Sequence, residues 1–298
     1  MTALEAYENF ITSRRLADLS QNTITDYNNF LKPFLRFVGE QSDFSELTQE
    51  TIHAYINSLL NRNISKATRS TYIRNLRIFL HWAEREYPVL YDARKIKIPK
   101  TPKKNVRIYS DEDIEIIFNT ITYNTSWIEK RNRCIVALMY DSGLRQAEVC
   151  TLQKRHVYFS MNRMVVRGKG DKERTVPIGK MTKKYLQEYL SECPYQSEYV
   201  FVGYNGEPLT CNAVKLFVSK LAKKLPFEFS SHKLRHNFAT NYCIDQYRTR
   251  NHVDIYRLMN LMGHEDIATT KRYLHHANEI LSADDCVSHL DNVMLQST

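Results

Sequence analysis

Apolar side chains recur at three- and four-residue spacing through the first part of the chain, a pattern typical of amphipathic helices. The clearest case places Ile24, Tyr27 and Leu31 on one face, and Pro33 inside the same segment is a candidate for a kink. Four helices are predicted here, over residues 4–15, 20–38, 46–60 and 65–86. Four helices joined by short connections predict a compact helical bundle.

A different pattern follows residue 107. Ser110 and the acids after it predict a helix start, because acidic side chains are favoured near the positive end of the helix dipole. A helix over residues 129–141 is expected to end at Gly143, since glycine readily adopts the left-handed turn after a helix. Residues 163–178 form two β-prone runs around a Gly-Lys-Gly-Asp turn, which predicts a hairpin. Because the remainder is mainly helical, the predicted fold class is mainly α with a small β-sheet, α+β.

Charge is distributed unevenly along the 298 residues, whose formal net charge is +9. Residues 94–107 hold seven basic residues and no acid, and Pro99 and Pro102 favour an extended backbone there. This segment is therefore the best domain boundary. It predicts a helical domain over residues 1–93, a basic linker over 94–107 and a second domain over 108–298.

Segregated positive charge suits a polyanion, because each Lys or Arg that meets a phosphate releases condensed counterions. Residues 51–83 add a second such region, with five basic side chains and no acid. A solvated linker and a solvated helix face explain the same charges, so charge alone leaves both interpretations open. The candidate side chains for a polyanion are Arg62, Lys66, Arg69, Arg74, Arg77, Lys100, Lys103 and Lys104.

Composition excludes several classes of protein. Apolar residues make up 43% and charged residues 25%, which is unlike a collagen-like or wholly disordered chain. No apolar run approaches the ~20 residues that span a bilayer, and the acidic N-terminus does not fit a signal peptide. The six cysteines are widely spaced and show no zinc-ligand spacing. We therefore expect reduced thiols, a cytoplasmic location, no membrane and no metal.

Four short segments of the second domain collect an unusual set of polar side chains. An arginine follows a helix-ending glycine, and a lysine lies in the hairpin turn. A histidine and an arginine three residues apart share one face of a helix, and a Gly-His pair precedes a helix that contains a tyrosine. Each pattern alone is weak, but their combination after a basic linker is specific. In chain order the set is Arg145, Lys169, His232, Arg235, His264 and Tyr273.

At these segments the sequence resembles the tyrosine recombinases of the lambda-integrase family, particularly the short Xer-type and transposon or phage members. The matching boxes read GLRQAEV, RGKGDKERTVPI, HKLRHNFAT and LMGHEDIATTKRYLH. The segments LSQNTITDYNNFLKPFLRF and SKATRSTYIRNLRIFLHWA resemble the helical, SAM-like core-binding domain of that family. The resemblance thus extends over essentially the whole chain and implies a core-binding domain followed by a catalytic domain.

The resemblance implies a role for each of these side chains. Arg145 and Arg235 would hold the nonbridging oxygens of the scissile phosphate, a task suited to a planar, permanently charged guanidinium. Lys169, with Lys172 as its rival, would protonate the leaving 5′ oxygen. Tyr273 would be the nucleophile and would form a 3′-phosphotyrosyl bond.

Three further positions complete the implied site. His232 would assist proton transfer, His264 would hydrogen-bond the phosphate, and Glu148 would orient active-site groups as a supporting carboxylate. Two arginines and two histidines can stabilise the developing charge without a metal, so no cofactor is expected. Three other tyrosines are not preceded by a Gly-His pair as Tyr273 is, and they are predicted to be packing residues: Tyr242, Tyr247 and Tyr256.

The implied activity is site-specific recombination in two strand-exchange steps through a Holliday junction, with integration, excision or resolution as the outcome. The implied partners are double-stranded DNA with inverted core sites, held in a clamp of two domains, and a tetramer of protomers on two DNA sites. Residues 274–298 form an apolar tail that docks either on a neighbouring protomer or on its own domain. The alternatives are a type IB topoisomerase and a noncatalytic DNA-binding relative. We expect a bacterial or archaeal protein, and a mobile element is one possible source.

Overall fold

A computed structural model describes residues 1–101 and 106–284, except for the side chains of residues 169, 283 and 284. The chain divides into two compact units, Met1–Lys104 and Asn105–Thr298. The predicted DNA contacts Lys103 and Lys104 and the end of the apolar tail, residues 285–298, lie outside the described residues.

The first unit is a bundle of four helices. They are α1 (Ala3–Leu16), α2 (Gln21–Val38), α3 (Gln49–Leu60) and α4 (Lys66–Glu86). Each helix begins after a Ser or Thr whose side chain accepts a hydrogen bond from the first turn, which explains why the helices start where they do. Large aromatic side chains, including Phe10, Phe34, Tyr55 and Phe79, fill the core. Helix α2 runs through Pro33 as one helix.

The first unit continues beyond α4 into the predicted linker. Ala93 and Ile96 are buried in the helical core, and the Ser70 hydroxyl donates a hydrogen bond to the Pro99 carbonyl oxygen at 3.2 Å. The basic side chains beside Ile96 point outward and are exposed. The start of the basic segment therefore packs as part of the bundle, whereas charge and proline content predicted a linker from residue 94.

The second unit contains eight helices and three strands among the described residues. The helices are α5 (Asp111–Thr120), α6 (Ser126–Asp141), α7 (Gln146–Thr151), α8 (Lys180–Glu192), α9 (Cys211–Ala222), α10 (Ser231–Arg250), α11 (Ile255–Met262) and α12 (Ile267–Asp284). The strands are β1 (Val157–Tyr158), β2 (Arg163–Arg167) and β3 (Glu173–Pro177). This arrangement confirms the fold class that was predicted, mainly α with a small sheet.

The three strands form one antiparallel sheet in the order β1-β2-β3. The predicted hairpin is β2 with β3, in which Met164 pairs with Val176 and Val166 with Arg174. The short strand β1 was not predicted, since two residues are too few to show an alternating pattern.

Two hydrophobic clusters hold the second unit together. The larger cluster contains Met164 and Val176 from the inner face of the sheet together with apolar side chains of α6 to α9, and α7 packs on β2. The smaller cluster packs α10, α11 and α12 around Leu258, Met262 and Tyr273. Within the ranges that the structure describes, no helix is long and apolar enough to cross a membrane.

Candidate active site

Arg145 is presented by a sharp turn between two helices. Helix α6 ends before Gly143, which has a φ of +65°, and Arg145 is the N-cap residue of α7. The Arg145 backbone N–H donates to Glu148 Oε2 at 2.7 Å, and its guanidinium donates to Glu148 Oε1 at 2.8 Å. The other terminal nitrogen donates to the Gly263 carbonyl oxygen at 2.9 Å. The guanidinium is therefore held on two sides while about a third of the side chain, 36%, stays exposed.

Glu148 is the buried anion of this region, with 2% of its side chain exposed. Burial alone would raise the pKa of its carboxyl group. Hydrogen bonds and charge from Arg174 and Arg145 outweigh burial and hold that pKa below its ordinary value. Glu148 is therefore ionised at neutral pH, as a carboxylate between two guanidinium groups.

Arg174 on β3 was not singled out in the sequence. Its two terminal nitrogens donate to Glu148 Oε1 and Oε2 at 2.6 and 2.8 Å, and its Nε donates to the Leu261 carbonyl oxygen at 2.7 Å. Alternation along β3 places Arg174 on the same face as the fully buried Val176. An arginine on the buried face of a strand requires an acidic partner, so this alternation was the signal that could have identified it.

Arg235 projects from the first part of α10 into the unit and is 5% exposed. Its guanidinium donates to the carbonyl oxygens of Gly143 and Met262, and one terminal nitrogen lies 3.4 Å from His264 Nε2. Burial and the neighbouring charge of Arg145 lower the pKa of Arg235 to about 9. It therefore remains a cation at neutral pH, in surroundings that contain an excess of positive charge.

His264 follows the left-handed Gly263, with a φ of +58°, that ends α11. Its Nδ1 lies 2.9 Å from the hydroxyl oxygen of the buried Thr270, which fixes the orientation of the ring. Burial and the charges of Arg235 and Arg145 lower the pKa of His264 to about 4. The imidazole is consequently neutral at neutral pH and can act as a hydrogen-bond donor or acceptor.

Tyr273 lies in the second turn of α12 and is 7% exposed. Its ring stacks on that of His264, with ring centroids 6.0 Å apart and planes at 15°. The ring centroid of His236 lies 5.2 Å from that of Tyr273. Burial raises the pKa of Tyr273, while the positive charges of Arg235, Arg272 and Arg145 act in the opposite direction. The structure thus brings Tyr273 together with Arg235 and His264.

His232 reaches this group through His236. Their rings meet edge to face, with centroids 4.2 Å apart. Partial desolvation and nearby arginine charge lower the pKa of His232, and the same causes, with the charge of His232, lower that of His236 to about 4. His236, which the sequence analysis did not assign to the site, lies between His232 and Tyr273.

The hairpin turn carries the two candidate lysines. Residues Lys169–Asp171 form a tight turn with Gly170 at a φ of +71°, and the side chain of Lys169 lies outside the described part of the structure. Lys172, its rival, is exposed and donates to Glu265 Oε1 at 2.9 Å. A cavity of about 1410 Å³ is lined by residues of this hairpin, of α10 and of α11, and Arg145 and His264 are among its lining residues.

The neighbouring tyrosines behave differently from what was predicted. Tyr256 is 65% exposed and Tyr247 is 39% exposed, so the prediction that both are packing residues is wrong. Tyr242 is half-buried, with its hydroxyl group enclosed. In the parts of the chain that the structure covers, no group of three or more His, Cys, Asp or Glu side chains could hold a metal ion.

The basic candidates of the first unit fall into two groups. Four are exposed: Arg62, Lys66, Arg74 and Lys100. Arg69 and Arg77 are half-buried, and Arg69 Nε donates to the Leu59 carbonyl oxygen at 3.1 Å, which joins α4 to the end of α3. Arg69 therefore has a structural contact that its charge alone did not predict.

Comparison with known proteins follows the same division into two units. The phage integrase family matches residues 107–279, and the N-terminal SAM-like domain of phage integrases matches residues 7–88. A protein named tyrosine recombinase XerC from Staphylococcus haemolyticus strain JCSC1435 is 29% identical over 272 residues, covering 89% of each chain. Another XerC, from Staphylococcus aureus strain MSSA476, is 29% identical over 286 residues, covering 93% of each chain.

Solved structures share the fold. The integrase of transposon Tn1549, in complex with transposon right end DNA, has a TM-score of 0.75 at 15% identity and covers 96% of this chain and 100% of its own. A lambda integrase dimer bound to a core site has a TM-score of 0.73 at 17% identity and covers 92% of this chain and 95% of its own.

The match over more than half of its length shows that this chain belongs to the phage integrase family. The resemblance to tyrosine recombinases is thereby confirmed, as is the predicted enzyme class of tyrosine-type site-specific DNA recombinases. The alternatives of a type IB topoisomerase and a noncatalytic relative gain no support from these matches.

Proposed function

We propose that this protein cuts and rejoins DNA at specific sites through a covalent bond between Tyr273 and a 3′ phosphate. The observation that carries the proposal is the convergence of Arg235, His264 and Tyr273, contributed by α10, by the turn after α11 and by α12. The carbonyl oxygen of Gly143 ties Arg235 to the turn that presents Arg145. A phosphodiester placed among these groups would have two cations and a neutral imidazole to stabilise its charge.

The covalent step consists of one bond made and one bond broken. The Tyr273 hydroxyl oxygen attacks phosphorus, the bond from phosphorus to the 5′ oxygen breaks, and the tyrosine proton must leave. Burial raises the pKa of Tyr273, so attack requires cations that favour the phenolate and a group that accepts the proton. We assign the arginines to the first task and His232, whose lowered pKa keeps it neutral, to the second.

The leaving 5′ oxygen needs a proton. We assign this role to Lys169 in the hairpin turn, because Lys172 is engaged in an ion pair with Glu265. Glu148 remains a supporting residue, since both of its oxygens are occupied by arginines. The reverse reaction restores the phosphodiester, so the phosphotyrosyl bond conserves the energy of the broken link.

The DNA-binding part of the proposal concerns residues 1–107. We propose that residues 1–93 form the core-binding domain and that residues 94–107 contact the DNA backbone. Exposed cations along and near α4, together with Lys100, support this assignment. A cation can bind a phosphate when its charged group is exposed and is not already hydrogen-bonded to a backbone carbonyl oxygen. Arg62, Lys66 and Arg74 are better placed for it than Arg69, which is bonded to a carbonyl oxygen.

The wider assembly is also part of the proposal. We propose double-stranded DNA with inverted core sites as substrate, exchanged through a Holliday junction by a tetramer on two sites. The C-terminal tail is a candidate for contacts between protomers, and the cytoplasm of a bacterial cell is the expected location. The solved structures with DNA of the Tn1549 and lambda integrases support a DNA partner.

Trapping of the covalent intermediate tests the proposal. The protein is incubated with a nicked duplex from the DNA that flanks its gene, so that cleavage releases a short strand and cannot be reversed, and adducts are resolved on a denaturing gel. We expect an adduct with the wild type and with Tyr256→Phe, an exposed tyrosine, and none with Tyr273→Phe. An undiminished adduct with Tyr273→Phe would refute the assignment. Strand exchange between two labelled duplexes then separates recombination from mere relaxation.

A further inference from the structure

Arg174 is a largely enclosed cation of the second unit and lies outside the set taken from the resemblance. Only 10% of its side chain is exposed, and all three guanidinium nitrogens donate hydrogen bonds. Two nitrogens bind both oxygens of Glu148, and Nε binds the carbonyl oxygen of Leu261. This use of the planar fork fixes the side chain in one orientation.

Through Glu148, the contact reaches Arg145. Glu148 accepts two bonds from Arg174 and two from Arg145, one from its backbone and one from its guanidinium. With both Glu148 oxygens shared in this way, Arg145 binds the carboxylate through a single terminal nitrogen, and its second terminal nitrogen reaches the Gly263 carbonyl oxygen. Arg174 therefore limits how Arg145 can pair with the carboxylate.

Through Leu261, the contact reaches the turn that carries His264. A β-carbon added to Gly263 would lie 3.1 Å from a terminal nitrogen of Arg174 and 3.2 Å from its Cδ, so this side chain packs directly against the turn. Arg174 itself belongs to β3, the strand that follows the hairpin turn. One side chain thus joins the hairpin, the Arg145 turn and the His264 turn.

We propose that Arg174 is a positioning residue that sets the Arg145 guanidinium for the scissile phosphate, and this assignment rests on the proposed function. Without Arg174, the buried Glu148 carboxylate would keep Arg145 as its hydrogen-bonded arginine partner among the described residues. A buried carboxylate that has lost a partner is costly in free energy, and bidentate pairing with the remaining guanidinium reduces that cost. Arg145 would then turn away from Gly263 and from the phosphate. Lysine cannot substitute, because a single ammonium cannot reproduce the flat three-way contact.

The test compares variants in single-turnover cleavage of the nicked duplex. Arg174→Met is expected to slow formation of the Tyr273 adduct by about 100-fold, the cost of a misplacement of about 1 Å, with DNA affinity within about twofold of wild type. Arg174→Lys keeps the charge and the aliphatic stem and is expected to fold like wild type yet cleave as slowly as Arg174→Met. Arg167→Met is the matched control, since Arg167 forms an exposed pair with Glu173 in the same hairpin. It should cleave normally.

Two modified duplexes separate positioning of Arg145 from other roles. A methyl group in place of one nonbridging oxygen removes the phosphate charge that Arg145 neutralises, so the defect of Arg174→Met should shrink to about threefold, as should that of Arg145→Ala. Sulfur in place of the 5′ bridging oxygen gives a leaving group that needs no proton, and here the defect should persist.

The outcomes are distinguishable. A defect that persists on the methyl-substituted duplex would mean that Arg174 has a general structural role. A defect that disappears on the sulfur-substituted duplex would mean that Arg174 acts on proton donation by Lys169. Either result overturns the proposal. Normal cleavage by Arg174→Met, with a Tyr273-dependent adduct in the wild type, would remove this assignment alone. Absence of any wild-type adduct would remove the proposed function and this assignment with it.

Discussion

The guanidinium of Arg235 donates a hydrogen bond to the carbonyl oxygen of Gly143, two residues before Arg145. The same guanidinium donates to the carbonyl oxygen of Met262, two residues before His264. One buried side chain thereby ties α10 to the two turns from which the other phosphate-binding candidates project. Each turn contains a glycine with positive φ, so the site depends on backbone geometry as well as on side chains.

Substitution of Gly143 is expected to damage both folding and chemistry. A β-carbon there would collide with the ring of Phe238 on α10, in addition to the cost of about 1–2 kcal/mol for a left-handed alanine. We expect Gly143→Ala to lower the free energy of unfolding of the second unit by about 2–5 kcal/mol, measured by urea denaturation. Cleavage of the nicked duplex should fall with it, because the carbonyl that holds Arg235 would move.

Gly170 provides the matched control. Its φ of +71° is similar, but among the described residues other than its two chain neighbours, none would place an atom within 4 Å of a β-carbon there. Gly170→Ala should therefore lower the free energy of unfolding only by the cost of placing alanine in the left-handed conformation, about 1–2 kcal/mol. Equal losses for the two variants would show that the contact with Phe238 is not what restricts position 143.

An oxyanion is expected to stabilise the folded protein. Arg145 and Arg174 bind the buried Glu148 carboxylate, and Arg235 interacts with the charges of all three. The lowered pKa of Arg235 reflects burial first and then the positive charges of Arg145 and Arg174, which Glu148 only partly offsets. Inorganic phosphate bound among these arginines would relieve the excess of positive charge. At concentrations near 100 times its dissociation constant, phosphate should add about 3 kcal/mol to the free energy of unfolding. The melting temperature should therefore be higher in phosphate than in sodium chloride of equal ionic strength.

Two variants show whether phosphate acts at this site. Arg235→Met should abolish the gain, whereas Arg163→Met, which removes an exposed arginine at the far end of the hairpin, should keep it. If Arg235→Met were stabilised as much as wild type, the anion would be acting elsewhere on the surface.

Local pattern was sufficient for most of the fold. Helices α1, α2 and α4 begin and end within about two residues of their predicted bounds, because capping side chains and apolar spacing act over one or two turns. Helix α3 begins three residues late, since Phe44–Glu46 forms a separate 3-10 turn. Ile96 was missed because its burial depends on the bundle it packs against, while its neighbours are basic.

Contacts across long sequence separations could not be predicted in the same way. The catalytic candidates were found from a resemblance, and the structure brings Arg235, His264 and Tyr273 together. The pairing of Arg174 with Glu148 spans 26 residues and two elements, and nothing local to either residue specifies it. The position of His236 between His232 and Tyr273 likewise follows from the packing of α10 on α12.

His236 is expected to make stability depend on pH. Its pKa is about 4 in the folded protein, lowered by burial and nearby positive charge, against 6.5 for an unperturbed histidine. The unfolded chain therefore binds more protons between these values, and stability falls as the pH drops from 7 to 5. The expected contribution of this one group is about 1–2 kcal/mol, and urea denaturation at both pH values tests it.

Replacement of the imidazole isolates this effect. His236→Gln should reduce the difference in unfolding free energy between pH 7 and pH 5 by that amount, while His252→Gln, at an exposed position, should leave it unchanged. An unaltered difference in His236→Gln would mean that His236 is already solvated in the folded state.

The basic segment near residue 100 is expected to act on every DNA sequence alike. Each cation that meets a phosphate contributes about 0.9 to the slope of log affinity against log salt concentration. Replacing Lys100, Lys103 and Lys104 with Gln should therefore weaken binding to specific and random duplexes equally and reduce that slope by up to about three. Arg94→Gln is a comparison within the same segment: because Arg94 is paired with Asp92 at 3.1 Å, its replacement should change the slope less than replacement of Lys100 alone. Equal slopes for the triple variant and wild type would mean that these lysines are merely solvated, since a charge that meets no phosphate releases no counterion.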